Sequence, residues 1–134
     1  MKNRTNYLAG ALCALALAWG SALAEPVPVD AYEIKLFLSG RTADCVKYSD
    51  DSTCDTYFAK DGSLKRYTHD DERLRLGTWW VDEEERLCVQ WAGKKKPLRF
   101  NVFDTGEGTW QLVKNDSLKA IIRGAEPGDK LPAE

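Results

Sequence analysis

The sequence predicts a mainly β protein: one short amino-terminal helix followed by an antiparallel meander of about eight strands, curled into a barrel or half-barrel. Two observations carry this expectation. From Thr42 onward, short β-type segments recur about every ten residues, divided by reversal-prone clusters such as Lys60-Asp61-Gly62 and Lys114-Asn115-Asp116-Ser117. The alternation is cleanest where Leu87, Val89 and Trp91 oppose Arg86, Cys88 and Gln90, and where Leu98, Phe100 and Val102 oppose Arg99 and Asn101. Side chains of a strand point alternately to its two faces, so each of these segments has a core face and a wetter face.

The elements follow in order. Residues 1 to 24 read as a cleavable signal peptide, with Lys2 and Arg4 ahead of the apolar run from Leu8 to Trp19, and Ala22-Leu23-Ala24 offering the small residues a signal peptidase needs. The run is too short to span a bilayer, which takes about 20 residues, so no stable membrane anchor is expected after cleavage. Residues 25 to 134 then form one domain. Glu25 to Val29, interrupted by proline, is expected to be extended. Asp30 and Glu33 have capping-box spacing, Ile34, Phe37 and Leu38 share one helical face, and Gly40 stands where a helix stops, which predicts a helix over 31 to 39. Strands are expected over 43–48, 53–59, 63–68, 74–81, 86–91, 98–103, 109–113 and 118–123. Glu126 to Glu134, with two prolines and a glycine, is expected to fray.

Losing residues 1 to 24 removes two bases and no acid, which moves the formal net charge from −2 to −4. A mildly acidic chain is not built for nucleic acid, and Lys94-Lys95-Lys96 before Pro97 reads as a solvated turn. Three cysteines follow the signal segment: Cys45, Cys54 and Cys88. An oxidising compartment favours one bridge and one remaining thiol, and a hairpin turning at Ser49-Asp50 would set Cys45 opposite Cys54 within bridging reach. A monomer is expected, with a thiol-linked dimer open to the third cysteine.

No catalytic constellation is evident. His69 is the single histidine and lies among the charged, turn-like residues Thr68 to Arg73, where it reads as an exposed loop residue. One histidine and three cysteines at these spacings make no zinc set, and Asp50-Asp51 and Asp70-Asp71-Glu72 lack the pattern of a calcium loop. No metal or cofactor is expected. Gly106-Glu107-Gly108 reads as a hairpin turn and not a phosphate loop. Trp79, Trp80 and Trp91 are the candidate ligand-binding residues, because adjacent Trp79 and Trp80 must point to opposite faces of a strand. Small barrels fill their interiors with side chains, however, so packing is the expected role of most aromatics.

Beyond these features, the chain from Leu38 to Gly124 resembles a family of small exported bacterial proteins, the domain-of-unknown-function family numbered 995. The resemblance is carried by Ser39-Gly40-Arg41-Thr42, Tyr57-Phe58-Ala59-Lys60-Asp61-Gly62, Gly77-Thr78-Trp79 and Leu87-Cys88-Val89-Gln90-Trp91. It implies export and a β-rich domain and supplies no catalytic residues. Such proteins typically carry a second cysteine downstream of the position matching Cys88. Phe100 stands near that place here, so pairing of Cys88 with Cys45 or Cys54 stays open.

The functional expectation is a periplasmic or secreted, non-enzymatic binding protein whose partner is another protein or a small apolar or saccharide ligand. An alternative is an inhibitor of an envelope-directed hydrolase such as a lysozyme, acting through the acidic loop Asp82 to Glu85. A third is a hydrolase with paired carboxylates, a chemistry that needs no histidine.

Overall fold

The computed structural model describes residues 25–132. The signal-peptide assignment lies outside them. The elements are β1 (Val27–Pro28), α1 (Ala31–Leu38), β2 (Arg41–Lys47), β3 (Thr53–Phe58), β4 (Ser63–Thr68), β5 (Arg73–Val81), β6 (Leu87–Trp91), β7 (Leu98–Asp104), β8 (Trp110–Lys114) and β9 (Ser117–Pro127).

Strands β2 to β9 each pair antiparallel with the next, and β9 returns to pair with β2. The sheet therefore closes as an eight-stranded barrel with no free edge along the seam. Short β1 adds to the rim of β7 through Val27 opposite Asp104 and Pro28 opposite Phe103. Register shifts at Asp44/Cys45 in the β2–β9 pair and at Leu112/Val113 in the β8–β9 pair give the local bends that closure needs.

Helix α1 forms where its cap and face predict. The Asp30 side chain accepts from the Glu33 N–H at 2.9 Å, and Gly40 takes the positive φ of 76° that ends the turn. Ile34 and Leu38 are fully buried and plug one end of the barrel. Beneath them Phe37 meets Trp110 at 4.4 Å between ring centroids, and Phe58 meets Trp79 edge-on at 5.3 Å. The turns at the opposite end, after β2, β4, β6 and β8, surround an open mouth.

The carboxy-terminal segment departs from expectation. Glu126 and Pro127 continue β9 opposite Thr42 and Arg41, so the strand runs four residues past the predicted stop at 123. The Thr42 hydroxyl donates to the Gly128 carbonyl at 2.7 Å and accepts from the Lys130 N–H at 3.0 Å. Asp129 also pairs with Lys65. The prolines and glycine mark a turn tied to the barrel through Thr42 and Lys65, not a frayed end, over the part described.

Candidate functional site

The inward residues change character from one end of the barrel to the other. At the helix end they are large and apolar. Towards the mouth several are small: Ala43, Cys45, Cys54, Thr56 and Ala120. Small side chains in a barrel of eight strands leave space, and a cavity of about 880 Å³ opens through the mouth. The expectation of an interior filled by aromatics therefore holds only for the plugged half. The remainder has the size of a small-molecule site, which runs to roughly 300–1,000 Å³.

One wall of the cavity is apolar: Leu87 and Val89 of β6, Leu98 and Phe100 of β7, Leu112 of β8 and Ile122 of β9. The opposite wall carries Arg66 of β4 and Arg75 of β5, which face one another directly across the two strands. Their guanidinium carbons lie 4.8 and 4.4 Å from the centre of the Trp91 ring, within cation–π range. Arg66 Nε donates to the Thr56 hydroxyl at 3.1 Å. Among the described residues neither arginine has a carboxylate within 4.0 Å. Burial, reinforced by the charge of Arg75, pushes the Arg66 guanidinium down to about 10, so it is still cationic at neutral pH. Burial and the charge of Arg73 lower Arg75 in the same direction.

Lys47, Lys94, Lys95, Lys96 and Lys114 also line the cavity, and no Asp, Glu or His does. The acids at this end, Asp50, Asp70 and Asp71, border an adjoining smaller groove that shares Lys47, Arg66 and Arg75 with the cavity, so the basic lining belongs to the cavity and not to the whole mouth. The Lys94-Lys95-Lys96 run, expected to be a solvated turn, forms part of the mouth, because the β6–β7 connection is one of the four turns that surround it.

Trp79, Trp80 and Trp91 do not form one site. Trp79 is 7% exposed and donates its indole N–H to the Ala59 carbonyl at 2.8 Å, in the plugged end of the barrel. Trp80 points outward, is 36% exposed and has Arg99 over its ring at 6.0 Å. Trp91, 4% exposed, lines the cavity with the two arginines. No motif marks Arg66 and Arg75, but strand parity does. Arg66 shares the parity of buried Leu64, and Arg75 that of Trp79, so the pleat turns both inward.

The cysteines resolve as one pair and one thiol. Cys45 and Cys54 stand opposite each other on β2 and β3, with Cα atoms 5.1 Å apart, and are joined by a disulfide. Cys88 is free and has no exposed surface. It lies on the outer side of β6 opposite Trp80, with Arg99 Nη1 3.3 Å from its sulfur. Burial first, and then the charge of Asp82, push its thiol up against the opposing pull of Arg99.

Two other polar clusters are structural in arrangement. His69 is exposed, with Nδ1 2.7 Å from the Thr53 hydroxyl and Nε2 3.0 Å from the Asp55 carboxylate. The partners match a hydrolytic triad in kind, but the hydroxyl lies on the outer wall and none of the three residues lines the cavity. In the loop Asp82 to Glu85, Asp82 and Glu84 both pair with Arg86, Asp82 also meets Arg99, and Glu85 accepts from the Ala31 N–H. The acidic charges of this loop are thus largely engaged by its own barrel. No three His, Cys, Asp or Glu side chains among the described residues group as a metal site would require. Compared with protein-family models, curated proteins and solved structures, the chain finds no match.

Proposed function

We propose that the protein is a non-enzymatic binding protein, working outside the cytoplasm, that takes a small and largely apolar ligand into its barrel. The observation that carries this reading is the cavity of about 880 Å³, walled by aliphatic and aromatic side chains and open at one end. A ligand entering it removes apolar surface from water at roughly 25 cal/mol for each Å² buried. The wall offers few uncharged hydrogen-bonding side chains, which favours an apolar body over a saccharide. The export signal read in residues 1 to 24 and the Cys45–Cys54 bridge support an oxidising compartment.

The test is a titration of purified protein with a neutral, environment-sensitive dye such as Nile red. Saturable one-to-one binding that is lost in Ala120→Trp, a variant that fills the cavity, supports the reading. Equal dye binding by the filled variant, with its circular dichroism unchanged, would sink it.

A further inference from the structure

A guanidinium enclosed by protein with no anion beside it is an expensive arrangement, because the charge has given up water without gaining a counter-ion. Arg66, half-buried in the wall of the open cavity and with no carboxylate within 4.0 Å, approaches that position. Its partners are the ring of Trp91 and the hydroxyl of Thr56, both neutral, and its neighbour on the next strand is a second cation, Arg75. Among the described residues the outer nitrogens of Arg66 have no acceptor, and Arg75 makes no side-chain hydrogen bond. Two like charges held together with no carboxylate within 4.0 Å raise the local potential at one place, with Asp50, Asp70 and Asp71 farther off along the adjoining groove. A chain selected for stability alone would put an apolar residue or an ion pair there.

We infer that the ligand is an apolar monoanion whose charged head is held by Arg66 and Arg75, with its body lying along the aliphatic wall towards Leu112 and Ile122. The inference rests on the reading of the cavity given above and adds the chemistry of the ligand to it. A carboxylate has the planar, two-oxygen geometry that a guanidinium fork matches, and both guanidinium carbons lie within 5 Å of the Trp91 ring centre, at 4.8 and 4.4 Å. The mouth lysines Lys47, Lys95 and Lys114 draw the anion inward, while the arginines supply the seat. The ligand removes the uncompensated charge and fills the cavity in the same step.

The experiment compares decanoate with 1-decanol, two chains that differ in the head, by calorimetric titration of the full protein and of Arg66→Gln and Arg75→Gln. Decanoate is expected to bind the wild type about tenfold or more tightly than 1-decanol, the scale of a charge-assisted hydrogen bond in an enclosed site. Each substitution should shrink that ratio by weakening decanoate far more than 1-decanol, and an unaltered circular dichroism spectrum and urea midpoint show that the barrel has kept its fold. Arg66→Lys is the conservative variant and should restore part of the preference. Equal affinity for the two chains in the wild type would overturn the anion seat and leave the apolar cavity standing. A preference that survives both glutamine variants would also overturn it, by moving the head to the lysines. Failure of both chains to bind would overturn the cavity reading and this inference together, whereas failure of decanoate alone would overturn only the anion seat.

Discussion

Gly77 lies directly opposite Trp91 across β5 and β6, and a methyl group on Gly77 would come within 2.4 Å of the Gln90 carbonyl oxygen and 3.1 Å of the Trp91 ring. The glycine is therefore a seat for the indole, not a flexible joint; its backbone needs no positive φ. Gly77→Ala is expected to destabilise the protein by about 1–3 kcal/mol through overpacking. Because Trp91 underlies both arginines, the same change should weaken decanoate binding more than 1-decanol binding. Urea denaturation followed by tryptophan fluorescence, together with the two titrations, measures both effects.

Much of the fold was legible from local pattern. Asp30, Glu33 and Gly40 mark the ends of α1, and turn chemistry places the barrel strands within about two residues at most ends, the usual uncertainty of such boundaries. The carboxy-terminal extension of β9 was not legible, because its cause is long-range: Glu126 and Pro127 gain partners only when β9 meets β2, about 80 residues earlier in the chain. The cavity was hidden for a related reason. Ala43 and Ala120 read as ordinary small residues of a strand, and the space they leave exists only once the barrel has closed.

The tryptophans separate cleanly by position. Trp80 is on the outer wall, so Trp80→Ala is expected to change ligand affinity by less than about twofold, as surface substitutions away from a site do. Trp91→Leu keeps an apolar side chain in the cavity but removes the ring beneath Arg66 and Arg75, and should lower affinity for decanoate severalfold. Titration of the two variants side by side decides it: a larger loss in Trp80→Ala would place the site on the outer wall.

The bridge between Cys45 and Cys54 spans a sequence separation of 9, and closing so short a loop in the unfolded chain is worth about 2–3 kcal/mol in the chain-entropy account. The double variant Cys45→Ala/Cys54→Ala should lose stability on that scale. It should also become insensitive to dithiothreitol, whereas the wild type loses stability when reduced. Urea midpoints with and without reductant check both statements, and Cys88 should resist alkylation until the protein unfolds.

Asp82 sets the expected acid response of the closed end. Desolvation pushes its carboxyl up, but hydrogen bonds from the Arg86 backbone and side chain, with the charge of Arg86, outweigh it and hold the group below its ordinary value of 3.8. A carboxyl lowered in the folded state contributes stability that is fully present above its unfolded value of about 3.9 and is lost as pH falls through the folded value. Asp82→Asn should accordingly be less stable than the wild type at neutral pH, with the two curves converging below about pH 4. Urea midpoints from pH 7 down to pH 3 measure the convergence, and a constant gap across that range would contradict the assignment.

The most direct measurement is a crystal structure of the protein grown with 10-bromodecanoate, whose bromine and carboxylate mark the two ends of the bound chain. The account predicts one molecule inside the barrel, with carboxylate oxygens about 2.7–2.9 Å from the guanidinium nitrogens of Arg66 or Arg75 and the bromine against the apolar wall near Leu112 and Ile122. Bromine density on the outer wall beside Trp80, or a carboxylate held by the mouth lysines with both arginines unoccupied, would contradict it.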